Sequence, residues 1–169
     1  MNQISNFFLC KLIVEMKRLV LFLFFLFSIQ LYGARLFIPM DENQTNHLKS
    51  YGIVYWILNY EIEVEWLLNY RGGSFMIPMN TVFERECKIR GVYYEIISDT
   101  EADKILYDIS DPNTNQESAK LTKSPRIAVY APKTTQPWDD AVMLALTYAE
   151  IAYDIIYDED VLKGVLPTY

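Results

Sequence analysis

Apolar residues in this chain fall into short runs divided by polar turns, and the spacing within the runs switches between strand and helix periods. Arg35 to Pro39 reads as a first strand, and a polar turn through Asp41 to Gln44 leads into a helix near Thr45 to Asn59. Ile62 to Leu68 follows as a strand. Its residues Ile62, Val64, Trp66 and Leu68 alternate with Glu63, Glu65 and Leu67, the pattern of a strand with one partly wet face, placed near an edge. After the Arg71-Gly72-Gly73 turn comes a short apolar piece, Ser74 to Ile77. The next helix spans about Thr81 to Arg90, with Asn80 placed to cap it and Gly91 to end it. Val92 to Ile97 is a strand, and Asp99 or Thr100 starts a helix over Glu101 to Ile109.

A change of texture marks the middle of the chain. Residues 112 to 125, rich in Asn, Ser, Thr and Lys, read as a linker between a first α/β unit at 35–111 and a second beginning at Arg126. In the second unit Arg126 to Tyr130 is a strand, and Pro137 opens a helix running to Glu150. Tyr153 to Tyr157 is another strand, and Asp158 caps a short helix closed by Gly164. Strands alternating with helices predict an α/β fold with a parallel sheet and helices on both faces, flavodoxin-like or Rossmann-like. An open parallel sheet needs a further strand after Leu166 to Tyr169, so the pattern also predicts C-terminal truncation. Laying Arg35 onto Arg126 without a gap brings the two units into register, which raises duplication of a half-domain as one reading and ordinary similarity of two βαβ units as the other.

The first 34 residues alter the picture of where the protein works. Lys17 and Arg18 form a basic start, Leu19 to Phe27 an unbroken apolar run, and Ser28 to Ala34 a more polar end with small residues. This is the plan of a cleavable signal peptide, with Met16 as the natural initiator and cleavage after Gly33 or Ala34. The charge-free run is shorter than the roughly 20 apolar residues that cross a bilayer, so export to the periplasm or medium is expected, with no stable membrane anchor. Losing the segment takes the formal net charge from −7 to −9, because Lys11, Lys17, Arg18 and Glu15 go with it. Such acidity makes nucleic acid and anionic membrane poor partners. It also removes Cys10 and leaves Cys87 as the sole thiol.

Candidate chemistry is sparse. Cys87 sits mid-helix without flanking glycines, unlike a nucleophile on a tight turn, and His47 is the only histidine. At a helix start His47 suits a surface or capping role. Asp139 and Asp140 are adjacent and point to different helix faces, and Asp41-Glu42 is a turn pair. Neither makes a metal site, and no cofactor is indicated. The tyrosines, including Tyr51, Tyr55 and Tyr148, suit core and boundary packing. The most suggestive feature is Arg71-Gly72-Gly73 after a strand end, where open α/β sheets bind ligands and glycine lets backbone N–H groups approach an anion. Lys133 and Trp138 occupy the equivalent edge of the second unit. These five residues are the candidate ligand-binding set, and no catalytic residue is assigned.

Two resemblances bear on function. Arg126-Ile-Ala-Val-Tyr130, Pro137-Trp-Asp-Asp-Ala141 and Tyr153-Asp-Ile-Ile-Tyr157 resemble the opening of class I glutamine-amidotransferase-like domains, which implies a flavodoxin-like sheet. From Arg35 onward, through Ile38-Pro-Met-Asp-Glu42 and Leu67-Leu-Asn-Tyr-Arg-Gly-Gly-Ser74, the chain is similar to the N-terminal part of exported bacterial proteins labelled asparagine synthetase B. That label implies a Cys at the mature N-terminus and a Ser-Gly-Gly-Leu-Asp-Ser loop, and neither stands here. The expected function is that of an exported module binding a small ligand or protein partner. The alternative is an amidotransferase-like or amide-hydrolysing enzyme with its nucleophile beyond Tyr169. N-terminal sequencing of the exported product is expected to begin at Ala34 or Arg35, and an intact residue 1 would defeat the signal.

Overall fold

The computed structural model describes residues 16–18, 33–136 and 140–169. The chain divides into Met1–Tyr32 and Gly33–Tyr169. In the first unit residues 16–18 are helical, and the apolar run expected to be the signal lies outside the described residues. Among the described residues no helix is long and apolar enough to cross a membrane.

The strands of the second unit are β1 (Ala34–Ile38), β2 (Val64–Leu68), β3 (Ser74–Pro78), β4 (Glu95–Ser98), β5 (Glu117–Leu121), β6 (Ala128–Tyr130) and β7 (Asp154–Ile156). Its helices are α1 (His47–Leu58), α2 (Thr81–Arg90), α3 (Asp99–Ile109), α4 (Ala141–Ala149) and α5 (Asp158–Leu162). Five strands form one sheet in the order β4-β1-β3-β2-β5, and every neighbouring pair in it is antiparallel. This overturns the parallel, flavodoxin-like sheet that the alternation of strands and helices predicts. β3 inserts between β1 and β2, and β1 between β3 and β4. The first six elements thus make the split βαβ arrangement of ferredoxin-like folds, with β5 added beside β2. Only β6 and β7 pair in parallel, as a separate two-stranded sheet.

Both faces of the large sheet are covered, and this is why its strands look parallel in the sequence. Leu36, Ile38, Val64, Phe75 and Ile77 point to one face and pack with Ile53, Val54, Ile57 and Leu58 of α1 and with Phe83 and Cys87 of α2. Phe37, Leu67, Met76 and Ile97 point to the other and meet Ala102, Ile105, Leu106 and Ile109 of α3. An antiparallel sheet usually leaves one face wet and alternates in sequence, whereas strands buried on both faces read as continuous apolar runs, the habit of parallel sheets. Leu36-Phe37-Ile38 and Phe75-Met76-Ile77 are such runs. Each fully buried side chain of this size contributes about 1.5–3 kcal/mol.

Two further expectations change for related reasons. The segment read as a linker supplies the edge strand β5, whose Lys120 and Ala119 pair with Glu65 and Trp66, and β2 lies one strand in from that edge, near it as expected. The piece Ser74 to Ile77 is the central strand, turned back against β2 by residues 69–73. Helix ends are more legible: Asn80 accepts a hydrogen bond from Val82 N, and Gly91 closes α2 with a φ of 69°. Ser98, rather than Asp99 or Thr100, caps α3. Asp140 caps α4, and Pro137 at the expected start lies outside the described residues.

The βαβ unit of β6, α4 and β7 closes over its own small cluster of Val129, Ala131 and Met143, and joins the large sheet through α1. Gly52 makes this joint: a Cβ there would lie 1.7 Å from the Ala149 carbonyl oxygen, so only glycine lets the two helices approach so closely. Lys49 pairs with Glu150 at 2.5 Å, and Arg90 Nη1 lies 3.1 Å from the same carboxylate. The two units that align in sequence differ in kind, since β1 and β2 are separated by β3 whereas β6 and β7 are direct neighbours.

Where β1 stops at Pro39, a side chain continues its ladder. The buried carboxamide of Gln44 donates to the carbonyls of Pro39 and Tyr93 at 2.9 and 3.1 Å and accepts from Tyr93 N at 3.0 Å. Gln44→Ala strands those backbone groups and is expected to lower unfolding stability by about 1–3 kcal/mol in urea titration. Asn43→Ala, at the exposed neighbour, should change it by less than about 0.5 kcal/mol.

Candidate functional site

The Arg71-Gly72-Gly73 turn is built as a structural lock. Asn69 and Arg71 take positive φ values of 60° and 44°, and Gly72 and Gly73 take 82° and 90°, which swings β3 back alongside β2. A Cβ on Gly72 would meet the Met40 carbonyl oxygen at 2.2 Å. Met40 N donates to the Arg71 carbonyl at 3.1 Å, and Gly73 N to Tyr70 O at 3.0 Å. The Ser74 hydroxyl donates within the same turn, to Tyr70 O and Arg71 O. The Gly73 N–H expected to approach an anion is therefore committed to the hairpin.

The guanidinium of Arg71 is committed as well. Its Nε donates to Asp41 Oδ2 at 2.7 Å, and its two terminal nitrogens grip Glu95 in a fork at 3.0 Å each. It lies over the Phe37 ring, 5.0 Å from the centroid. The fork to Glu95, the stronger influence, and the bond to Asp41 raise the Arg71 pKa further above its ordinary value. The hydrogen bond from Arg71 in turn holds the Asp41 carboxyl below its ordinary range. Charge-assisted bonds of this geometry are the strong ones. Three separate segments meet here: the 39–46 loop, the β2–β3 turn and β4.

Lys133 sits in a different place. β6 and β7 run in parallel, so their carboxyl ends open on the same side. There Tyr130, Pro132, Lys133, Thr134, Tyr157 and Glu159 line a cleft of about 380 Å³, the position at which open α/β sheets take ligands. Lys133 Nζ lies 2.5 Å from Glu159 Oε1, and that bond raises the lysine pKa and lowers the glutamate's. Arg71 and Lys133 are not brought into one site. Trp138 lies outside the described residues.

Next to this cleft, and sharing Tyr130 and Asp158 with it, is an open groove of about 640 Å³ lined by Tyr130, Ile156, Asp158, Val161, Leu162 and Leu166. Helix α5 buries none of its residues, and Leu162 is 86% exposed. The tyrosine hydroxyl of Tyr130 donates to Asp158. Sequence reasoning missed Val161, Leu162 and Leu166. The available signal was the apolar cluster at 161–166 behind an acidic turn, in a helix too short to bury it.

The reactive groups are otherwise occupied. Cys87 is fully buried and burial pushes its thiol up to about 12. His47 Nε2 lies 3.1 Å from the Met40 carbonyl oxygen. Among the described residues no group of three or more His, Cys, Asp or Glu is placed to hold a metal ion. Comparisons with known protein families, with curated proteins and with solved structures find no match.

Arg71→Ala is expected to cost about 1–3 kcal/mol of stability, the range for lost hydrogen bonds between charged groups. Since the folded Asp41 carboxyl titrates below its ordinary 3.8, the pair's contribution is present above that pH and fades as the pH falls through the depressed value. The gap between wild type and variant in urea unfolding should therefore narrow below about pH 4.

Proposed function

We propose that this chain is an exported, non-catalytic module that binds a protein partner at the carboxyl ends of β6 and β7. The observation that carries the reading is the groove: an apolar floor from Ile156, Val161, Leu162 and Leu166, continuous with the Lys133 cleft. Small-molecule sites enclose most of their ligand, whereas this groove is open, a shape that favours a polypeptide surface. Asp158 lines it, next to Glu159 and Asp160 in the acidic first turn of α5, so the partner segment that fits combines apolar anchors with Lys or Arg.

The non-catalytic part is supported by the state of the candidate groups. A thiol with its pKa near 12 is not a nucleophile at neutral pH, and Arg71 is spent on Asp41 and Glu95. Export rests on the basic and apolar pattern of residues 17–34 and on the acidity of residues 35–169. The candidate set thereby divides. Arg71, Gly72 and Gly73 hold the scaffold, and Lys133 remains at the binding edge.

A synthetic peptide alternating Leu with Lys serves as the probe. Fluorescence anisotropy should show binding by the full chain, a dissociation constant about tenfold weaker for Leu162→Asp, and much weaker binding of the matching Leu/Glu peptide. Equal binding by Leu162→Asp would remove the groove as the site. Ammonia release from glutamine or asparagine by a chain extended past Tyr169, unchanged in Cys87→Ser and lost on substituting a nucleophile in the extension, would replace the whole reading with the amide-hydrolysing alternative.

A further inference from the structure

The two edges of the five-stranded sheet are built differently. β5 carries Glu117 and Lys120, the latter reaching 3.7 Å from Glu65 with most of its side chain in solvent. Charged residues of this kind, lysine above all, blunt a sheet edge against further pairing. β4 is the opposite edge strand, Glu95–Ser98, and it has no lysine, proline or bulge. Ile96 there is 53% exposed.

The direction of the backbone groups on β4 follows from its neighbours. Asp99 N donates to Gly33 O at 3.2 Å, and the peptide groups of Tyr93 are bonded to Gln44, so residues 93 and 99 face β1. Alternation along an antiparallel strand then points 95 and 97 toward β1 and leaves the N–H and C=O of Ile96 directed outward. Ile96 lies opposite Leu36, so its side chain is on the face covered by α1 and α2. On that same face α2 exposes Val82 and Ile89.

We infer that β4 pairs with β4 of a second copy of this chain, antiparallel about a two-fold axis at Ile96, joining two sheets into one of ten strands. A dyad perpendicular to the sheet keeps the same face up in both copies. It sets Ile96 opposite the partner's Ile96, Glu95 opposite the partner's Ile97, and Tyr94 opposite the partner's Ser98. The two Ile96 residues exchange N–H to C=O bonds, and Ser98 N–H reaches the partner's Tyr94 carbonyl.

Charge selects a second copy for this edge. With a net charge of −7, the chain carries an excess of acids that opposes self-association wherever they are unpaired. Along β4 the acids are already neutralised: Glu95 by Arg71, Asp99 by Arg35 at 3.0 Å, and Glu84 on neighbouring α2 by Lys88 at 2.6 Å. The groove at β7 is less balanced, since among the described residues only Glu159 there is paired, with Lys133, and self-association would bring two copies of Asp158 and Asp160 together.

Sedimentation equilibrium of the full chain should show a dimer. Ile96→Lys, at an exposed position that empties no core, should raise the dimer dissociation constant about tenfold or more. Leu162→Asp should leave the dimer unchanged. Directly opposed residues of a hydrogen-bonded antiparallel pair lie about 5.5 Å apart at Cα, inside the range of about 4.4–6.8 Å that a disulfide spans. Ile96→Cys in a Cys10→Ser background should therefore form a disulfide-linked dimer under mild oxidation, and Lys120→Cys should not. A chain that stays monomeric from micromolar to submillimolar concentration overturns the inference. So does a dimer that survives Ile96→Lys, or one cross-linked through Lys120→Cys in place of Ile96→Cys.

Discussion

A five-residue strand, Ser74–Pro78, has antiparallel neighbours on both sides and helices above and below, and the order of the large sheet follows from its position. Phe75 and Ile77 enter one layer and Met76 the other, so the strand belongs to two cores at once. To reach that position the chain must reverse between the end of β2 and Ser74. The reversal needs positive φ at Asn69, Arg71, Gly72 and Gly73, a demand most residues resist. The fork of Arg71 on Glu95 ties this turn to the edge strand β4. The bond to Asp41 ties it to the loop leaving β1. A cation that looked free to hold a ligand instead holds three segments of backbone in register.

Much of the secondary structure was legible because its signals are local. Asn80 and Gly91 bracket α2 through their own cap geometry, and β1, α1 and β7 appear within two residues of the expected bounds. The sheet was illegible because pairing is not local. The alternation of β2 suggested a partly wet face, and Glu65 there is partly exposed, but the contribution of Ile105 and Leu106 of α3 to Leu67 on the same side cannot be seen from the residues around Leu67. The polar stretch 112–125 concealed β5 for a related reason. An edge strand meant to stay unpaired on one side is written in Ser, Lys and Glu, the same letters as a linker.

The candidate site divided along the same line. Lys133 was placeable at a strand end by counting elements, and it does line the cleft where β6 and β7 finish. The partners of Arg71 lie 30 and 24 residues away in sequence, beyond the reach of any spacing argument. The apolar residues of α5 were visible as letters, but their exposure was not. A helix of five residues beside a two-stranded sheet has too little neighbouring surface to cover Leu162 and Leu166, and this geometric shortage made the groove.

The contact of Gly52 with Ala149 has a mechanical consequence. Two helices that touch through side chains can slide by repacking, but here one backbone rests on another. Sliding α4 by a turn along α1 would drive the side chain of Lys49 or Tyr55, which share the face of Gly52, into the place where the Ala149 carbonyl now lies. The joint therefore behaves as a pin rather than a bearing. Whatever strains the βαβ unit at its outer end is passed through α1 into the five-stranded sheet as a rigid displacement.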